Sequence, residues 1–246
     1  VSDEKSEQAA SFDRAAEVYE RARPEYPAEA VDWMLPADAK TVLDLGAGTG
    51  KLTRALAARG LEVFAVDPAP RMLDQLRAAV PGATVGIGTA EDIPMADASV
   101  DAVLVAQAWH WVDQDAALPS VARVLRPGGT LGLVWNLRDE REPWVGRLTE
   151  VMHPAEGEIF MQTRNIARGP FGELESANFE WSREVTRDEL LDLVRSRSYF
   201  ITADAAEQAS VLSGVNDLLD HDPDVGGRDS WTMPYVTRAF RMRLPG

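Results

Sequence analysis

Residues 41–53 read TVLDLGAGTGKLT, and their order decides the fold. Val42, Leu43 and Leu45 are apolar between polar neighbours, the pattern of a buried strand. The run then breaks into Gly46-Ala47-Gly48-Thr49-Gly50. Leu52, Ala55 and Leu56 follow at helical spacing, and Gly60 stops the helix. Strand, glycine turn and helix in that order form the first unit of a doubly wound α/β domain. Glycine lets the backbone turn tightly and approach a ligand to contact distance. The helix N-terminus then aims free N–H groups at that ligand.

Two refinements narrow the reading. Asp44 sits two residues before the first glycine, and the glycines are spaced G-x-G-x-G rather than the G-x-G-x-x-G of dinucleotide binders. A second strand, residues 61–66, leads into Asp67, an acid placed to accept hydrogen bonds from both hydroxyls of a ribose. The pattern resembles motif I and the following acidic strand end of class I S-adenosylmethionine (SAM)-dependent methyltransferases. On these residues alone, a Rossmann-like NAD site and a structural turn with no ligand stay open.

Composition bounds the partners. A chain of 246 residues is long enough for one large α/β domain with a sizeable core. It carries 25 Lys and Arg against 40 Asp and Glu, a formal net charge of −15. Such a surface repels nucleic acid and anionic membranes, and no basic run offsets it. There is no cysteine, which excludes disulfides, thiolate metal sites and cysteine nucleophiles. His110, His153 and His221 are too scattered for a metal cluster. No apolar run approaches the ~20 residues that span a bilayer, and no signal peptide is evident. A cytoplasmic protein is expected; monomer and homodimer are both open.

Taken in order, Ser11 or Asp13 is placed to cap a helix with Ala15, Ala16, Val18 and Tyr19. Pro24 and Pro27 break it, and a second helix covers residues 28–35. Tyr19-x-x-x-Arg23-Pro24-x-Tyr26-Pro27 resembles the N-terminal cap of the small-molecule methyltransferases that include trans-aconitate methyltransferase-like proteins. The resemblance implies that Tyr19, Arg23 and Tyr26 lie over the cofactor pocket; a plain packing helix is the other reading. After Asp67, a helix through Val80, a short strand at 84–87 and a fourth strand at 102–106 alternate as a parallel sheet requires. VDAVLVA is apolar on both faces, as in a strand covered by helices on both sides. Gln107-Ala108-Trp109-His110-Trp111 follows, and Asp113 caps the next helix. Arg126-Pro127-Gly128-Gly129 and a strand at 130–135 are further marks of the family. Residues 153–177 read as a loop or lid insertion. Phe179, Trp181 and Val185 alternate as a strand, Thr186-x-x-Glu189 is a capping box, a helix covers 203–219, and an antiparallel strand at 232–242 ends the fold.

The expected architecture is therefore a Rossmann-like, seven-stranded, mostly parallel sheet with an antiparallel last strand. An N-terminal helical cap spans 1–36, a SAM-binding core 37–136, and a part completing the sheet and lid 137–246. The resemblance implies a cofactor site of Asp44, Gly46, Ala47, Gly48, Gly50 and Leu52 at the first turn, then Asp67, Pro68 and Met72. Ala90 and Glu91 flank the adenine, and Gln107, Trp109 and Trp111 close the site at the fourth strand. Trp109 and Trp111 at a strand end would share a face, where an aromatic ring attracts a sulfonium. His110 is the candidate general base; a packing residue between two tryptophans is the alternative. The implied reaction is in-line methyl transfer to a small-molecule acceptor, without metal or covalent intermediate. Because a fold does not dictate chemistry, a SAM-binding protein without transfer (pericyclase, decarboxylase or regulator) and an NAD-dependent oxidoreductase remain alternatives.

Overall fold

The computed structural model describes residues 22–163 and 165–246. Tyr19 and the helix expected before it lie outside the described residues.

Period-two alternation builds the core. In β1 (Thr41–Leu45), Val42 packs on one face of the sheet with the helices α1 (Ala28–Met34) and α2 (Lys51–Ala57). Its neighbour Leu43 packs on the other face with α4 (Gln114–Val124). β4 (Val100–Ala106) repeats the split, with Ala102 and Leu104 on the first face and Val103 and Val105 on the second. A strand buried on both sides is stable only inside such a sandwich of helices. Leu73 and Leu76 of α3 (Pro70–Ala79) seat that helix against Ala65 of β2 (Glu62–Asp67).

The sheet has seven strands in the order β3-β2-β1-β4-β5-β7-β6, with β3 at Thr84–Ile87, β5 at Leu125–Arg138, β6 at Glu175–Thr186 and β7 at Ser230–Arg243. The pairs from β3 to β5 are parallel, with Leu43 opposite Phe64 on one side and Val103 on the other. β7 runs antiparallel to both its neighbours, placing Leu133 opposite Phe240 and Phe179 opposite Thr237. A further helical layer, α5 (Pro143–Met152), α7 (Arg187–Arg195) and α9 (Ala205–His221), packs around Trp231, Met233 and Tyr235 of β7.

Three expectations change. β5 extends to Arg138, so a division at residue 136 falls inside a strand. The segment 153–177 is not a plain loop: it holds α6 (Glu156–Thr163) and the start of β6. Before α9 lies one more short helix, α8 (Ser198–Thr202). No described helix is long and apolar enough to cross a membrane.

The capping box is present as read. Thr186 Oγ1 accepts from the Glu189 N–H, and Glu189 Oε2 accepts from the Thr186 N–H at 2.7 Å. Thr186→Ala is expected to cost about 1 kcal/mol. A thermal melt should show this as a midpoint about 2–4 °C lower.

Candidate functional site

Strand order turns back between β1 and β4, which leaves a crevice beyond their carboxyl ends. A cleft of about 620 Å³ opens there, a volume suited to a small molecule. The glycine turn forms its floor. Gly46, Gly48 and Gly50 have φ of 73°, 54° and 92°, conformations that side chains rarely adopt. The N–H groups of Gly46 and Ala47 donate to the Val66 carbonyl at 2.8 and 3.1 Å, folding the turn over the end of β2. A Cβ on Gly46 would lie 2.8 Å from the Ala108 Cβ, so no larger residue fits there.

Asp67 stands at the end of β2, 8% exposed. One carboxylate oxygen accepts from the Gly48 N–H at 2.9 Å, the other from the Ala69 N–H at 2.8 Å. These bonds orient the carboxylate and leave it lone pairs for further donors. Beneath the turn, Asp44 is fully buried and accepts from Thr53 Oγ1 at 2.6 Å. Burial pushes its carboxyl up to about 7; the Thr53 bond opposes this and the Asp67 charge adds to it. Asp44 Oδ1 is buried without a hydrogen-bond partner.

The far wall carries His110, Trp111 and Arg23. Gln107 follows the last residue of β4 with φ 58°, a left-handed conformation uncommon for this residue type and concentrated at functional sites. Its Nε2 donates to the Asn136 carbonyl at 3.3 Å. Trp109–Trp111 then forms a single 3-10 turn. His110 lines the cleft, and its Nδ1 accepts from the Trp135 indole N–H at 3.3 Å. Indole is a donor only, so the imidazole proton sits on Nε2. Burial, aided by the Arg23 charge, lowers the His110 pKa to about 4. Arg23 lines the same cleft and donates to the Ser196 carbonyl at 3.3 Å.

The residues expected at the cofactor divide into groups. Gly46, Gly48, Asp67, Pro68, Met72, Ala90, Glu91, Gln107 and Trp111 are brought together around the cleft, with His110 and Arg23. Glu91 also accepts from the Asp113 N–H at 3.0 Å. Asp44, Ala47, Leu52 and Tyr26 lie instead at a small recess of about 40 Å³ beneath the turn, where Leu52 is part of the hydrophobic core. Gly50 borders neither space; it precedes α2, and a Cβ on it would meet Leu76 Cγ at 2.8 Å. Trp109 is a correction: it is wholly buried, and its Nε1 donates to Gln114 Oε1 at 3.2 Å. The two tryptophans do not share a face, because the chain leaves strand geometry at Gln107 and the 3-10 turn rotates them apart. His110, the candidate general base, lines the cleft with its Nδ1 lone pair taken up by the Trp135 N–H.

The sequence placed a lid insertion at 153–177 but singled out none of the wall residues that the second half of the chain contributes: Asn136, residues 155–158 and Ser198. Asn136 joins the parts, because its Nδ2 donates to the Glu25 carbonyl and its Oδ1 accepts from Thr237. No local pattern marks these positions. Among the described residues no group of acids and histidines is placed to hold a metal ion.

Residues 43–133 match a family model described as a methyltransferase domain. The chain is 53% identical, over 95% of its length and 96% of the relative, to an uncharacterized methyltransferase of Mycobacterium tuberculosis. A solved structure from Anaeromyxobacter dehalogenans, provisionally classed as a type II methyltransferase, superposes with a TM-score of 0.66 at 27% identity. That match covers 91% of this chain and 99% of the other. A phosphoethanolamine N-methyltransferase of Haemonchus contortus, solved with S-adenosyl-L-methionine, shares the fold at 20% identity with a TM-score of 0.52. Here 89% of this chain and 52% of the other are covered.

The His110 environment has a direct spectroscopic consequence. With a folded pKa of about 4, its imidazole signals should stay fixed in an NMR titration from pH 8 down to about 5. The unfolded chain takes up this proton near pH 6.5 and the folded protein does not. The His110 contribution therefore lowers stability as pH falls from about 6.5 to about 4.

Proposed function

The chain belongs to the class I methyltransferase family, and from that premise we propose that it transfers a methyl group from S-adenosylmethionine to a small-molecule acceptor. The observation that carries the cofactor reading is Asp67. Its carboxylate is already aimed by two backbone N–H groups into the cleft, at the strand end where a ribose diol would need an acceptor. The glycine turn fits the same ligand: a Cβ on Gly48 would meet nothing within 4 Å, so its backbone borders open space. The H. contortus enzyme of the same fold binds SAM, which supports this choice of cofactor.

When bound, SAM supplies an electrophilic methyl carbon on a sulfonium and a neutral thioether as leaving group. The chain's own residues position and desolvate. Asp67 would hold the ribose, Ala90 and Glu91 would flank the adenine, and Gln107 and Trp111 would border the methyl-bearing end. An aromatic face such as that of Trp111 favours a nearby cation. On the acceptor side, Arg23 and the Nε2–H of His110 are hydrogen-bond donors, which suits an acceptor bearing oxygen atoms. His110 serves to orient that acceptor, not to deprotonate it. An acidic exterior with net charge −15 disfavours nucleic acid as the substrate.

Calorimetry with purified protein should show binding of S-adenosylhomocysteine and none of NAD; the reverse result would overturn the reading. Asp67→Ala should weaken S-adenosylhomocysteine by roughly 10–150-fold, the worth of about 1.5–3 kcal/mol of charge-assisted hydrogen bonding. Unchanged affinity in the folded variant would place the ribose elsewhere.

A further inference from the structure

Glu158 lies in the first turn of α6, in the cleft wall. Its carboxylate accepts three hydrogen bonds, from Arg197 Nη1 and Nη2 at 3.2 Å each and from the Ala155 N–H at 2.7 Å, and it forms an ion pair with Arg138 Nη2 at 3.1 Å. A carboxylate offers about four acceptor positions, so these partners take up most of this one. Arg138 follows the cleft residues Asn136 and Leu137 at the end of β5, and Arg197 immediately precedes the cleft residue Ser198. One side chain thus ties together three separately derived pieces of the wall.

Charge makes the tie obligatory. Arg138 and Arg197 are 6% and 2% exposed, and among the described residues Glu158 is the acid that ion-pairs with both. Without it two guanidinium groups would stay buried side by side with no counter-charge, an arrangement that must open to water. Arg138 would keep Thr149 Oγ1, at 2.9 Å, and so its place on α5. What would be released is α6. That helix rests on the catalytic wall with no side chain between: a Cβ on Gly157 would lie 3.1 Å from His110 Cε1 and 3.3 Å from Trp135 Cδ1. Phe160, one turn on, stacks on Trp135 with ring centroids 5.6 Å apart.

We infer that Glu158 is a positioning residue, which holds α6 over His110 and Trp135 and thereby sets the shape and dryness of the acceptor end of the cleft. This rests on the methyl-transfer reading only for the name of that end. The cofactor half, built on Asp67 and the glycine turn, stands on the other side of the sheet's switch point from the Glu158 group.

The test uses Glu158→Gln in the full chain, with three measurements. Hydrogen exchange in residues 153–163 and 196–202 should quicken by about tenfold or more while β1, β2 and β4 keep wild-type protection, the mark of local opening. The His110 imidazole should titrate well above its wild-type value, because water reaches the ring once α6 lifts. S-adenosylhomocysteine affinity should stay within roughly threefold, as for sites that share no partners. Faster exchange spread evenly over the sheet, or an unmoved His110 titration, would overturn the inference and leave Glu158 as a contributor to global stability alone. If Glu158→Gln does not fold, Arg197→Lys keeps the charge but loses the two-pronged contact. It should give the same local pattern more weakly, and no local change would again overturn the inference. Wild-type protein that fails to bind S-adenosylhomocysteine would defeat the methyl-transfer reading while leaving the exchange and titration results to stand or fall on their own.

Discussion

The glycine turn can lie where it does only because the end of β2 accepts its N–H groups. Three consecutive turn residues, Gly46, Ala47 and Gly48, donate to the Val66 carbonyl and the Asp67 carboxylate. Those donors belong to a buried loop and would otherwise be orphaned. The pairing requires β1 and β2 to be adjacent, parallel and in the observed register, with Leu45 opposite Val66. It also requires a backbone free to take positive φ, and a β4 loop close enough that Gly46 touches Ala108. The floor of the cleft, the aim of Asp67 and the meeting of three strand ends are one constraint seen from three sides.

Acidic groups line the cleft as they dominate the chain: Asp67, Glu91, Glu156 and Glu158 border it together with Arg23. Behind its wall, Arg138 and Arg197 are buried as ion-pair partners of Glu158. Burial lowers the pKa of His110 in the cleft and raises that of Asp44 in the recess beneath the turn, so each shift favours the neutral form. The neutral His110 imidazole and the Arg23 guanidinium place N–H donors at the same cleft.

Much of the local structure was legible. Val42, Leu43 and Leu45 announce β1 by apolarity alone, the glycines announce the turn, and Thr186 with Glu189 announces a helix start. These signals act over a few residues, and the covalent chain keeps their parts together. The reading failed where geometry changed within one residue. Gln107 takes a left-handed backbone that Gln does not signal, and from there Trp109 turns into the core while Trp111 turns to the cleft. The stretch 153–177 has weak periodicity, and its helix is held by tertiary contacts rather than by its own propensity.

By itself, then, the order of residues determined the strand–turn–helix unit, the identity of the acid at the end of β2, the parallel sheet and the exclusion of thiol chemistry. Each follows from local sterics, side-chain period or composition. Only the tertiary structure decided which nitrogen of His110 carries the proton, because that depends on Trp135, which is close in space and distant in sequence. Only it could show that Glu158 serves Arg138 and Arg197 rather than solvent. A glutamate on an exposed helix and a glutamate neutralising two buried guanidiniums are the same letter, and what separates them is the desolvation that folding imposes.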